Sequence, residues 1–191
     1  MRNAVLPAAL AVALLLPACG QKAITVGSRP FPSGRPVFTD ASGSPLEALP
    51  AAKEPWRLVL LDFPWCPACA DAWKAVVEAF PSFPPGTVHA YRVRFDRETL
   101  ISRAGRREVP PLLPAPREAP GAGSLPVTTL TALPGAFLEE YRLSQAPVLL
   151  LLSPEGMVAR RWTGYAVGLA GELSAEVRKR SPHPSSLPPG R

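Results

Sequence analysis

Apolar and polar positions along this chain fall into blocks of different period, and each block predicts an element. Ala4 to Leu16 is an almost unbroken apolar run. Arg57 to Phe63 carries the next dense block, Leu58-Val59-Leu60-Leu61, and reads as a strand covered on both faces, because a half-exposed strand would alternate. Cys66 to about Phe80 is rich in helix formers, and Pro81, Pro84, Pro85 and Gly86 end it. Val88, Ala90, Val93 and Phe95 stand among polar residues and predict a second strand. Val37-Phe38 predicts a short strand and turn within 36–51, Arg97 to Arg106 a short helix, and Val127 to Leu130 another strand. Pro134 to Leu143 reads as a helix with Phe137 and Tyr141 at helical spacing. Val148 to Leu152 is a strongly apolar strand. Ser153-Pro154-Glu155-Gly156 turns it back into Met157 to Trp162, and Gly164-Tyr165 leads to an amphipathic helix from Val167 to about Lys179. Strands interleaved with helices predict an α/β domain around a central sheet.

Composition refines that outline. Hydrophobic residues make up 47% of the 191, enough for one real core, and the 26 prolines lie mostly outside the predicted elements. A Pro, Ala and Gly-dominated stretch after the second strand predicts an irregular insertion over about 97–125. Residues 19–35 read as a flexible linker, 36–180 as the domain and 181–191 as a disordered tail. The net charge is +6, with arginines at 103, 106, 107, 160 and 161. Little aromatic character is interleaved with them, so they read as a solvated surface and not as a nucleic-acid site.

The amino terminus has the order of a secretory signal over residues 1–18: a short basic start, an apolar core of about 13 residues and small residues before a cleavage point. The core is shorter than the roughly 20 residues a transmembrane helix needs. Leu16-Pro17-Ala18-Cys19 resembles the bacterial lipobox, which implies lipidation of Cys19 and a membrane-anchored protein facing the periplasm. Gly20 stands where an inner-membrane retention signal would have aspartate, which favours the outer membrane. An ordinary signal cut near Ala18 is the alternative. Either route delivers the chain to an oxidising compartment.

Cys66 and Cys69 then remain as the thiol chemistry of the exported chain. A strand delivering Cys66-Pro67-Ala68-Cys69 to the start of a helix puts the first sulfur where backbone amides point outward and the dipole favours an anion. Cys66 therefore reads as the nucleophile. Cys69, one turn on, lies on the same side and is placed to close a disulfide with it. A structural zinc site needs more ligands than the two distant histidines, His89 and His183, provide. A c-type haem site needs histidine at position 70, which is Ala70. A purely structural bridge over so short a loop would constrain little of the unfolded chain. No metal and no cofactor is expected.

Trp65-Cys66-Pro67-Ala68-Cys69, Gln145-Ala146-Pro147-Val148 before an apolar strand, Pro154-Glu155-Gly156 and Gly164-Tyr165 together resemble the thioredoxin superfamily over about residues 36–180. More narrowly, the chain looks like the exported, membrane-anchored TlpA/ResA-type branch. The resemblance implies a thioredoxin-like fold and a monomeric thiol-disulfide oxidoreductase. It would exchange disulfides with client proteins and be served by an upstream redox partner. It also implies a cis Ala146-Pro147 bond beside the dithiol, with Trp65, Pro67, Ala68, Ala146 and Pro147 lining the substrate groove. Thioredoxins carry a buried acid six residues before the first cysteine, where this chain has Leu60. Asp62, on the same face by strand alternation, is the candidate to take the Cys69 proton; a strand-end aspartate exposed to solvent or capping the helix is the other reading. The second functional class is a non-catalytic thioredoxin-like lipoprotein that binds a partner or copper.

Overall fold

The structure, a computed structural model, describes residues 22–31, 34–63, 66–95, 125–133, 135–143 and 145–181. The signal segment, Cys19, Trp65, most of the predicted insertion including the helix at 97–106, and the tail from 182 lie outside them. The elements in chain order are β1 (Lys22–Ala23), β2 (Phe38–Thr39), β3 (Pro45–Leu46), β4 (Trp56–Asp62), α1 (Pro67–Ala79), β5 (Val88–Arg94) and β6 (Val127–Ala132). They continue with α2 (Ala136–Glu140), β7 (Tyr141–Arg142), β8 (Val148–Leu152), β9 (Val158–Thr163) and α3 (Leu169–Arg180).

Seven strands form one mixed sheet in the order β3-β2-β6-β5-β4-β8-β9. β4 and β5 run parallel, as the intervening α1 crossover requires, and β4 and β8 run antiparallel. All five residues of β8 are buried, as are the last five of β4, which is why both read as continuous apolar runs. The β8–β9 turn closes with Ser153 N–H donating to Met157 O at 2.8 Å, and Gly156 takes the left-handed φ of +79° that this turn needs.

Two apolar layers cover the sheet. On one face α1 and α3 pack Ala72, Ala75, Val76, Ala79, Leu169, Leu173 and Val177 onto Leu58, Leu60, Ala90, Leu149 and Leu151. The small alanines of α1 let that helix lie close to the strands. On the other face Val59, Leu61, Tyr91, Val93, Val148 and Leu150 meet an aromatic group of Phe31, Phe38, Phe95, Phe137 and Tyr141. Phe137 is its hub, edge-on to Phe95 with centroids 5.1 Å apart and 4.9 Å from Tyr141.

Two expectations change here. The predicted helix over 134–143 is helical only at Ala136–Glu140, because Tyr141 and Arg142 leave it to pair with β1. Much of the predicted flexible linker over 19–35 is built into the domain. Lys22 and Ala23 pair in parallel register with Tyr141 and Arg142. Gly27 N–H donates to Val158 O, and Val158 N–H to Ser28 O, both at 2.8 Å. Ile24 is 3% exposed and Phe31 6%, the latter ringed by Phe38, Phe137 and Tyr141. The polar, Gly/Pro-containing composition hid these two apolar anchors, whose burial offsets the entropy of ordering the segment.

Candidate functional site

β4 ends at Asp62, and four residues later the chain turns into α1. Cys66 is the N-cap of that helix, with extended backbone (φ −100°, ψ 104°), and Pro67 follows at the first helical position, where a missing N–H costs nothing. The cap bond comes from sulfur: Cys66 Sγ accepts from Cys69 N–H at 3.2 Å. Cys66 is partly exposed, whereas Cys69 is fully buried, and both are free thiols. Burial pushes the Cys69 thiol far above its ordinary range, and the hydrogen bond with Cys66 adds to this. A backbone hydrogen bond from Phe63 opposes it, while the neighbouring charges of Cys66 and Asp62 raise it further. The pair is thus asymmetric, with one sulfur at the surface on a helix N-terminus and one inside that holds its proton.

Asp62 is 4% exposed and belongs to the α1 face with Leu58 and Leu60, as strand alternation predicts. It does not point into solvent, nor does it cap the helix. Its partner is Arg92 of β5, whose Nε donates to Asp62 Oδ2 at 2.7 Å. Arg92 is 7% exposed and its guanidinium stacks over the Trp73 ring of α1, 5.2 Å from the centroid. Sequence reading missed Arg92 and Trp73. The signal was present: Val88, Ala90 and Arg92 form one alternate series, Leu58, Leu60 and Asp62 form the series beside it, and each ends in an opposite charge.

The register of β4 with β8 pairs Leu61 with Val148, so Pro147 lies at the dithiol end of the sheet. The Ala146-Pro147 bond is cis. Pro147 is buried and its carbonyl accepts from Gly164 N–H at 2.9 Å, while Ala146 is exposed. The Gly164 turn carries two exposed apolar side chains, Tyr165 at 43% and Val167 at 96%. Pro67 is exposed and Ala68 partly so. The cleft of about 560 Å³ lined by Phe80, Phe83, Pro85, Val88 and Pro126 is elsewhere, at the start of β5 and the opposite end of the sheet.

No protein-family model matches this sequence, and no curated protein matches it. Solved structures do. The thioredoxin domain of a thiol-disulfide oxidoreductase from Bacteroides vulgatus aligns with a TM-score of 0.52 at 17% identity, over 80% of this chain and 98% of that one. The fold is thioredoxin-like. A candidate DsbE thiol:disulfide interchange protein from Chlorobium tepidum aligns with a TM-score of 0.53 at 10% identity, covering 82% of this chain and 97% of that one. A thioredoxin-like protein from Porphyromonas gingivalis aligns at 0.51 and 17%, covering 76% and 88%. At such identities the shared property is the fold.

Proposed function

We propose that this protein is an exported, lipid-anchored thiol-disulfide oxidoreductase that exchanges disulfides with partner proteins through Cys66-Pro67-Ala68-Cys69. The observation that carries the reading is the asymmetry of the pair: Cys66 Sγ partly exposed at a helix N-cap, Cys69 buried one turn behind it. In the reducing direction the Cys66 thiolate attacks a client disulfide, forming a mixed disulfide and releasing one client thiolate. Cys69 then gives up its proton and attacks Cys66 Sγ. The Cys66–Cys69 disulfide forms, the second client thiolate leaves, and two electrons have passed to the client. Oxidation of a client dithiol is the same sequence reversed, and an upstream redox protein restores the starting state.

In this reading Asp62 receives the Cys69 proton, while Arg92 Nε donates to its carboxylate at 2.7 Å. On the same reading Ala146 and Pro147, with Pro67 and Ala68, form the surface against which a client chain lies, and the protein works as a monomer. Anchoring through lipid on Cys19, with the domain facing the periplasm from the outer membrane, follows from the lipobox-like ending of the signal.

The copper-binding alternative is disfavoured by the position of His89. Its Nδ1 is hydrogen-bonded to Glu54 Oε2 at 3.2 Å and its Nε2 to Thr128 Oγ1 at 2.8 Å. It lies beside Arg57, towards the start of β4 and away from the dithiol. The test is reduction of insulin disulfides by a small thiol: the protein accelerates it and Cys66→Ser does not. Equal rates with wild type and variant would refute the enzymatic reading.

A further inference from the structure

The packed segment at 22–31 has a consequence for how an anchored domain meets its membrane. Only Gly20 and Gln21 separate Cys19 from Lys22, the first residue of β1. Three chain steps reach at most about 11 Å, whatever their conformation, where a free linker over 19–35 would reach about 60 Å. We propose that the domain lies directly on the bilayer, its β1–β7–α2 layer against the lipid headgroups and its α1–α3 face turned away. This rests on lipidation of Cys19.

The orientation comes from the layer to which β1 belongs. Ile24, Phe31, Phe137 and Tyr141 all pack on the sheet face opposite α1 and α3. The exit point of the anchor is therefore fixed on that side. Several contacts hold it there: the β1–β7 pairing, Arg161 Nη1 donating to Ile24 O at 2.9 Å, and the Tyr141 hydroxyl donating to Pro30 O.

The surface chemistry fits an anionic headgroup layer. Lys22 and Arg29 on this segment, Arg35 shortly after it and Arg142 on the strand it pairs with are exposed. Glu140 of α2 is ion-paired to both Lys22 and Arg35, and Glu155 of the β8–β9 turn feels the charge of Arg29. Val26, in the turn after β1, exposes 62% of its surface. Basic residues within a few ångströms of a membrane are drawn to acidic lipid. A domain of this size has a radius of gyration of about 15 Å, so the dithiol stays within roughly one domain diameter of the bilayer. The redox partners and clients it serves are then proteins that present thiols or disulfides at that membrane surface.

Lysine acetylation footprinting tests this on the full lipidated chain in vesicles of phosphatidylethanolamine and phosphatidylglycerol. The four lysines report different faces: Lys22 on the proposed contact layer, Lys53 before β4, Lys74 on α1 and Lys179 on α3. The control carries a twenty-residue Gly/Ser insertion between Gln21 and Lys22, which leaves β1 and the Lys22–Glu140 pair intact. Acetylation of Lys22 should be several-fold slower in the native chain than in the control, with Lys74 and Lys179 unchanged. Equal Lys22 rates in the two proteins, with both floating with the vesicles, would overturn the orientation and leave the anchor standing. Absence of a lipid mass on the amino-terminal peptide, or failure to float, would overturn the anchor itself and the orientation with it.

Discussion

Arg92 Nε and Asp62 Oδ2 meet at 2.7 Å beneath α1, each residue less than a tenth exposed, with Trp73 roofing the guanidinium. Breaking a buried pair by removing one member leaves an uncompensated charge and costs about 3–5 kcal/mol. Arg92→Met and Asp62→Asn should each lose stability of that order. Replacing both together by apolar residues, as Asp62→Leu with Arg92→Met, should recover most of the loss. Urea denaturation of the three variants measures this, and single variants as stable as wild type would show that the pair is not held in a buried setting.

The same pair shows what was legible in the sequence. The Cys66/Cys69 site, its helix, the apolar strands β4 and β8 and the cis bond at Pro147 could all be expected from local pattern and resemblance. The alternate series of β4 and β5 end in opposite charges, but that Arg92 meets Asp62 is fixed only by the parallel register of the two strands, a tertiary fact. The docking of 22–31 was hidden for a related reason: two apolar residues, Ile24 and Phe31, in a polar segment have no periodicity to read. The early end of α2 follows from pairing of β1 with the distant β7, Lys22 with Tyr141 and Ala23 with Arg142, which outweighs helix propensity at Tyr141 and Arg142.

Phe31 offers a direct check on the docked segment. It is 6% exposed, with its ring 5.2 Å from Phe38 and 5.6 Å from Tyr141. Phe31→Ala should destabilise the domain by about 3–5 kcal/mol, the range for emptying a buried aromatic site. A residue of a free linker would cost nothing on truncation. Thermal unfolding of the variant, with hydrogen exchange at Ile24 and Gly27 as a local readout, separates the two.

Cys69 links the reduced state to alkaline pH. Its ordinary value is 9.0 and burial raises it in the folded protein. A group whose folded value is raised contributes stability that is complete below the unfolded value and lost as pH climbs toward the folded one. Above about pH 9 the unfolded chain releases this proton while the folded protein keeps it, so stability falls with a limiting slope of about 1.4 kcal/mol per pH unit. Tyr91, also raised by burial, adds a slope of the same sign from its own ordinary value of 10.0. The comparison is therefore between reduced wild type and Cys69→Ala, whose stability should decline less steeply between pH 9 and 10. Parallel curves would mean that Cys69 ionises as readily folded as unfolded.

The asymmetry of the two sulfurs predicts which mixed disulfides can be caught. Cys66 is reachable from solvent and Cys69 is not, so iodoacetamide should modify Cys66 of the reduced protein first. Cys69→Ser removes the resolving thiol and should accumulate covalent adducts with disulfide-bearing clients, whereas Cys66→Ser should accumulate none. Asp62→Asn adds a second arm. The Asp62 charge raises Cys69, so its removal should let Cys69 ionise at lower pH, as read by the Cys69 Cβ chemical shift in a Cys66→Ser background. If Asp62 also takes the Cys69 proton during exchange, the same substitution should slow resolution of the adduct although the thiol has become more acidic. Faster resolution in Asp62→Asn would confine Asp62 to an electrostatic part and remove it from the proton path.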